Sequence, residues 1–182
     1  MAETNLKAVS QVGSFPTVSP TVRITDASEL AKVAVKGASS TNLATQLAAI
    51  TPGHSTMRGT VLIGSVRPGE WLYIGPLDAV AAAVADLDLA GHTAVTDVTH
   101  ARSAVRITGS SAADLLARCC SLDFADAMFP DEATATGSVA SVRCDIVRND
   151  LEMENSYLLV FDRSYSEYLT RILNELVQEF AG

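Results

Sequence analysis

Val33-Ala34-Val35-Lys36-Gly37-Ala38-Ser39 returns 72 positions later as Val105-Arg106-Ile107-Thr108-Gly109-Ser110-Ser111. Each stretch alternates apolar with other residues, the pattern of a half-buried strand, and halts at a glycine. A glycine there ends the strand and lets the chain turn without a Cβ in the way. Hydroxyl residues that can cap a helix follow in both copies, and Leu43 then falls opposite Leu115 at the same spacing. Further on, Trp71-Leu72-Tyr73-Ile74 lies over Tyr157-Leu158-Leu159-Val160, now 86 positions apart, and each is followed by a helical pattern. The spacing grows from 72 to 86, so the second copy holds 14 more residues.

The elements between these anchors give both copies the order strand, helix, hairpin, helix. In the first, helices are expected over Asn42–Ile50, with Leu43, Leu47 and Ile50 at helical spacing, and from Pro76 to about Asp86. Pro68-Gly69 turns the hairpin between Thr60–Gly64 and Glu70–Ile74. In the second, strands are expected at Ala94–Val98, Ala104–Thr108, about 137–148 and 157–161, and a helix over Ser111–Cys120. A last helix from Ser164 to about Phe180 carries Tyr165, Tyr168, Leu169, Ile172, Leu173, Leu176 and Phe180 as one apolar stripe suited to packing on a sheet. Each copy is a sheet covered on one side, and two such halves can bury their remaining faces together. The reading is an α+β fold with two pseudo-symmetric β/α halves, about 21–90 and 91–182, in a single domain. Residues 1–20, rich in Ser, Thr, Gly and Pro, precede it as an extended arm, either a docking arm or a frayed end.

A chain of 182 residues with 48% hydrophobic and 19% charged residues can fold without disulfides. The net charge of −8 repels phosphate backbones and anionic membrane surfaces, which argues against nucleic-acid binding. Cys119, Cys120 and Cys144 offer no C-x-x-C pair, and His54, His92 and His100 are scattered, so no metal site is expected. Reduced thiols in a cytoplasmic protein are the simpler reading. No apolar run is long enough to cross a membrane, and no signal peptide is apparent.

Asp97-Val98-Thr99-His100, Arg102, Val105-Arg106-Ile107-Thr108-Gly109, Ala112-Ala113 and Leu115-Leu116 form an ordered series. It resembles the signature of glycine-cleavage aminomethyltransferases. Gly69-Glu70-Trp71-Leu72-Tyr73-Ile74-Gly75-Pro76 ahead of it, and Cys120-Ser121-Leu122-Asp123 and Arg163–Leu169 after it, make the chain more similar to the sarcosine oxidase gamma subunit family. The resemblance covers about 33–180. It implies the folate-binding fold of the aminomethyltransferases in a non-catalytic subunit of a hetero-oligomeric oxidase. Large and small partner subunits would carry flavins and tetrahydrofolate, acting on an N-methylated amine and passing its one-carbon unit to the folate. A stand-alone folate-dependent transferase is the alternative.

Catalytic relatives place an aspartate in a Gly-Gly-x-x-Asp-Asp-like hairpin. Residues 137–148 hold only Asp145 near that place, without paired glycines. Asp145 is thus either a reactive acid or, flanked by Arg143 and Arg148, part of a surface ion pair. His100 near Asp97 invites a general-base reading, against which strand alternation would set the two on opposite faces. Trp71 and Tyr73 share a strand face, as core or as interface anchors. No G-x-S-x-G, GxGxxG or Walker sequence occurs. No catalytic, cofactor-binding or metal-binding residue is assigned in this chain.

Overall fold

The alternating runs become strands whose two faces meet different partners. The computed structural model describes residues 10, 12–15 and 19–181, so much of the expected arm lies outside the described residues. The chain runs β1 (Arg23–Asp26), β2 (Ala31–Gly37), α1 (Asn42–Gln46), β3 (His54–Arg58), β4 (Val61–Arg67), β5 (Glu70–Gly75) and α2 (Leu77–Ala85). It continues through β6 (Thr93–Asp97), β7 (Arg102–Thr108), α3 (Ala112–Cys119), β8 (Thr134–Val139), β9 (Val142–Arg148) and β10 (Ser156–Asp162). A 3-10 turn, Arg163–Tyr165, then leads into α4 (Ser166–Gln178).

Two five-stranded antiparallel sheets result, ordered β3-β4-β5-β2-β6 and β8-β9-β10-β7-β1. Ala31, Val35, Val61, Ile63, Trp71 and Tyr73 pack with Leu43, Leu47 and Val80 under α1 and α2. Val105, Ile107, Cys144, Ile146, Leu159 and Phe161 pack with Leu115, Leu116, Leu169 and Leu173 under α3 and α4. The opposite strand faces meet in a central layer, where Leu62, Leu72 and Ile74 face Val147, Leu158 and Val160. The order of layers is helix, sheet, sheet, helix. Each large aliphatic side chain buried in the middle contributes about 1.5–3 kcal/mol.

The sheet orders contain a strand exchange. β1 precedes β2 in sequence but pairs with β7 of the second half, and β6 precedes β7 but pairs with β2 of the first. The two crossings are built alike. At one, Asp26 accepts the N–H of Ser28 at 2.8 Å, and the Ser28 hydroxyl bonds both the C=O and the N–H of Ala104. At the other, Asp97 accepts the N–H of Thr99 at 2.8 Å, and Thr99 Oγ1 bonds both the N–H and the C=O of Lys32. Asp26-Ala27-Ser28 is thus a second copy of Asp97-Val98-Thr99, 71 positions earlier. The repeated glycines also correspond: the Gly37 N–H donates to Gly69 O at 3.0 Å and the Gly109 N–H to Asn155 O at 2.9 Å. Only Gly109 has a left-handed backbone, φ +130, with the Thr21 carbonyl against it; Gly37 is held by crowding from Leu43 and Thr41.

Three expectations change in detail. α1 ends at Gln46, with Leu47 and Ile50 buried from turns beyond it. β3 is an additional strand; His54-Ser55-Thr56-Met57-Arg58 buries only Ser55 and gives no apolar alternation. In α4 the buried stripe is Ser166, Leu169, Thr170, Leu173 and Val177, while Tyr165 and Tyr168 are exposed. Part of the N-terminal segment lies along this helix: Ser14 O accepts from Asn174 Nδ2 at 3.0 Å, and Ser19 Oγ donates to Phe180 O at 2.6 Å.

Candidate functional site

Asp145, the acid singled out in the sequence, projects from β9 into the seam between the sheets. Arg102 reaches it from β7 and Thr136 from the neighbouring β8. From the other sheet comes Arg67, which follows an irregularity in the β4–β5 pairing between Gly64 and Arg67. The Asp145 carboxylate accepts from Arg67 Nη2 at 3.0 Å, Arg102 Nη1 at 2.7 Å and Thr136 Oγ1 at 2.8 Å. Arg67 Nη1 also meets Glu70 at 2.6 Å, and Glu70 takes Lys36 Nζ at 2.8 Å. Hydrogen bonds from Lys36 and then Arg67 hold the Glu70 carboxyl below the usual carboxylate range.

This arrangement revises the local reading of Asp145. The side chain is buried and its ion pairs are with Arg67 and Arg102; Arg148 lies on the opposite face of β9, paired with Asp126 and Asp150, and Arg143, two residues away on the same face, is exposed. Both cations come from distant sequence. With three of about four lone-pair positions occupied by donors, the carboxylate is a clamp across the seam rather than a group presented to a ligand. The cavity beside it measures about 40 Å³, near the volume of one water, whereas pockets for small organic ligands span about 300–1,000 Å³.

β6 ends at Asp97, and residues 99–101 are a turn, so strand alternation does not set the relation of Asp97 to His100. Burial opposes ionisation of Asp97, but the Thr99 hydroxyl and N–H outweigh it and hold the carboxyl below its ordinary value. That carboxylate closes its own turn through Thr99. His100 is exposed, and its carbonyl accepts from Arg163 Nη1 at 3.2 Å. His100 and Arg163, but not Asp97, border an open groove of about 700 Å³ with Glu167, Thr170 and Gly13.

Trp71 sits in the first half's core, its indole N–H donating to Ile50 O at 3.2 Å, and Tyr73 is buried beside it. All three cysteines are free; burial pushes the Cys119 thiol up to about 11 and Cys144 up to about 12. Among the described residues no group of His, Cys, Asp and Glu could hold a metal ion, and no helix is long and apolar enough to cross a membrane. Local sequence gives no sign of Arg67 as a partner of Asp145, or of Lys32. Lys32 is fully buried with its ammonium donating to Ser28 O at 2.9 Å and Leu30 O at 2.6 Å. Burial lowers its pKa to about 8 despite the nearby Asp26 and Asp97. The repeated Asp-x-Ser/Thr was the available signal for this crossing.

A family model described as "Sarcosine oxidase, gamma subunit family" matches residues 25–179. The chain belongs to this family. Among solved structures, this gamma-family chain is similar to one from the heterotetrameric sarcosine oxidase of Corynebacterium sp. U-96 in complex with pyrrole 2-carboxylate. The identity is 18%, with 94% of this chain and 89% of that one covered at a TM-score of 0.74. It is also similar to the glycine cleavage system aminomethyltransferase T of Bartonella henselae, at 15% identity and a TM-score of 0.63. That match covers 92% of this chain but only 54% of the transferase. Both likenesses are of fold, and they match the α+β architecture expected from the sequence. No curated protein matches the chain in sequence.

Proposed function

We propose that this chain is a non-catalytic gamma-type subunit of a heterotetrameric sarcosine oxidase-like enzyme, packing against the large flavoprotein subunit in the cytoplasm. The match to the gamma-subunit family over residues 25–179 carries the reading. In such an assembly flavins and tetrahydrofolate are held by partner subunits, which oxidatively demethylate an N-methylated amine and transfer the one-carbon unit. The state of Asp145 supports a scaffolding part for this chain: its oxygens are engaged by Arg67, Arg102 and Thr136, and they tie the two sheets together.

The test is co-expression of this chain with candidate large and small subunits from the same organism, followed by purification through the large subunit. A stable complex with unchanged turnover in Asp145→Asn is expected. Elution of this chain as a monomer in the presence of those subunits would contradict the assembly reading. Calorimetric binding of tetrahydrofolate to the isolated chain, abolished by Asp145→Asn, would favour an independent folate-dependent transferase instead.

A further inference from the structure

The second half's extra residues are concentrated in two loops. Residues 120–133 join α3 to β8 where residues 47–53 join α1 to β3, and residues 149–155 join β9 to β10 where Pro68-Gly69 joins β4 to β5. The loops are fastened to each other from beneath by Arg148, which is buried. Its guanidinium donates to Asp126 at 2.6 Å and Phe129 O at 2.7 Å in one loop, and to Asp150 at 2.9 Å and Asn155 at 3.0 Å in the other. The Asp150 N–H adds a bond to Asp131 at 2.9 Å. They form one lobe.

Two properties distinguish the lobe's surface. Apolar side chains stand out from it: Met128 is 67% exposed, Met153 101% and Leu151 40%. Its charge is of one sign, since the two loops hold seven of the chain's 21 carboxylates and no lysine or arginine. The remaining 14 carboxylates are nearly balanced by 13 lysines and arginines, so the net charge of −8 belongs largely to this lobe. Of the cations reaching it from strands, Arg148 is buried and Arg106 half-buried beneath, and Arg23 forms an exposed pair with Glu154 at 3.6 Å. Under the lobe the Tyr157 ring meets Phe124 and Phe129 edge-on and stacked, respectively, and its buried hydroxyl has no hydrogen-bond partner among the described residues.

We infer that the lobe of residues 120–133 and 149–155 docks a basic surface with apolar recesses on the large subunit of the assembly. This rests on the subunit reading above. Carboxylates around protruding thioethers suit a partner that offers Lys or Arg at the rim and pockets at the centre, and opposite charge speeds and orients the encounter. Methionine adapts to irregular recesses. Arg148 fixes the lobe before contact, which lowers the ordering cost of binding.

The test uses the full chain co-expressed with its partner subunits, with affinity measured at two salt concentrations. Met128→Asp/Met153→Asp and Glu132→Lys/Glu152→Lys should each weaken the complex at least tenfold while leaving the urea midpoint of the isolated chain in place. Wild-type affinity should fall as salt rises. Leu77→Asp, at an exposed position on α2, should bind within twofold of wild type. Binding by both lobe variants within twofold of wild type overturns the inference and leaves the subunit reading intact. So does self-association of the isolated chain that the lobe variants abolish. Failure of the wild-type chain to enter any complex overturns both.

Discussion

The two halves share their strand order and their helix positions, yet they differ in what lies at the loop ends of their sheets. In the first half, short connections bring Ile50 O directly onto the Trp71 indole, and the site closes with a single hydrogen bond. At the equivalent place in the second half Tyr157 lies under Phe124 and Phe129, and Arg148 organises two longer loops around it. The strand and helix packing is common because both halves must cover one side of a sheet and share the other. Loops carry no such obligation, so that is where one copy acquired its own surface.

What binds the halves is symmetric in construction but asymmetric in charge. We propose that residues 21–182 fold as one unit, because β1 and β6 are exchanged and Asp145 draws arginines from both sheets. The largest effect should come from Asp145→Ala, which leaves Arg67 and Arg102 facing an empty seam. About 3 kcal/mol of stability should be lost, the lower end for breaking a buried pair because Arg67 keeps a third of its side chain in solvent. Urea denaturation measures this, and an unchanged midpoint would remove the clamp from the account.

The paired glycines sharpen the comparison. Gly109→Ala must force φ +130 on an alanine and press a methyl against the Thr21 carbonyl, whereas Gly37→Ala meets mainly side-chain atoms of Leu43 and Thr41. The expected losses are about 3 and about 1 kcal/mol. Equal losses would show that the two strand ends are held alike.

Lys32 provides a smaller effect with a defined sign. Its pKa falls from 10.5 to about 8 on folding, so between those values the unfolded chain binds more protons and stability rises with pH. Below about pH 8 the folded protein carries the full penalty of holding the ammonium out of water. Half-buried Cys119 and buried Cys144 act oppositely above pH 9, since their raised values make the unfolded chain ionise first. Subtracting the pH profile of Lys32→Met isolates the lysine: the wild type should gain relative to the variant from pH 8 to 10.5. A flat difference would mean that Lys32 keeps its ordinary pKa in the folded protein.

Much of this architecture is legible in the chain, because V-x-V/I-x-G and the aromatic strand pair repeat with their helices at spacings that survive in three dimensions. β3 escapes because His54–Arg58 buries one small serine and holds a single apolar residue, the exposed Met57, too few to show alternation. Tyr165 and Tyr168 belong to the helical stripe by spacing alone; the buried positions go instead to Ser166 and Thr170, small enough to sit close to their neighbours. Asp145 was visible but its role was not, since flanking arginines are near in sequence while Arg67 and Arg102 are near only after the sheets stack. The strand exchange itself was available in the Asp-x-Ser/Thr repeat at 26 and 97, beside the glycine repeat that reveals the halves.

The sole tryptophan lies in the first half and every cysteine in the second, so native residues report on each separately. Urea unfolding followed at once by Trp71 fluorescence and by labelling of Cys119, Cys120 and Cys144 tests whether the exchanged strands make the halves interdependent. Superimposed transitions with one midpoint are predicted. Thiols that react while Trp71 is still native, or the reverse, would contradict an interlocked scaffold.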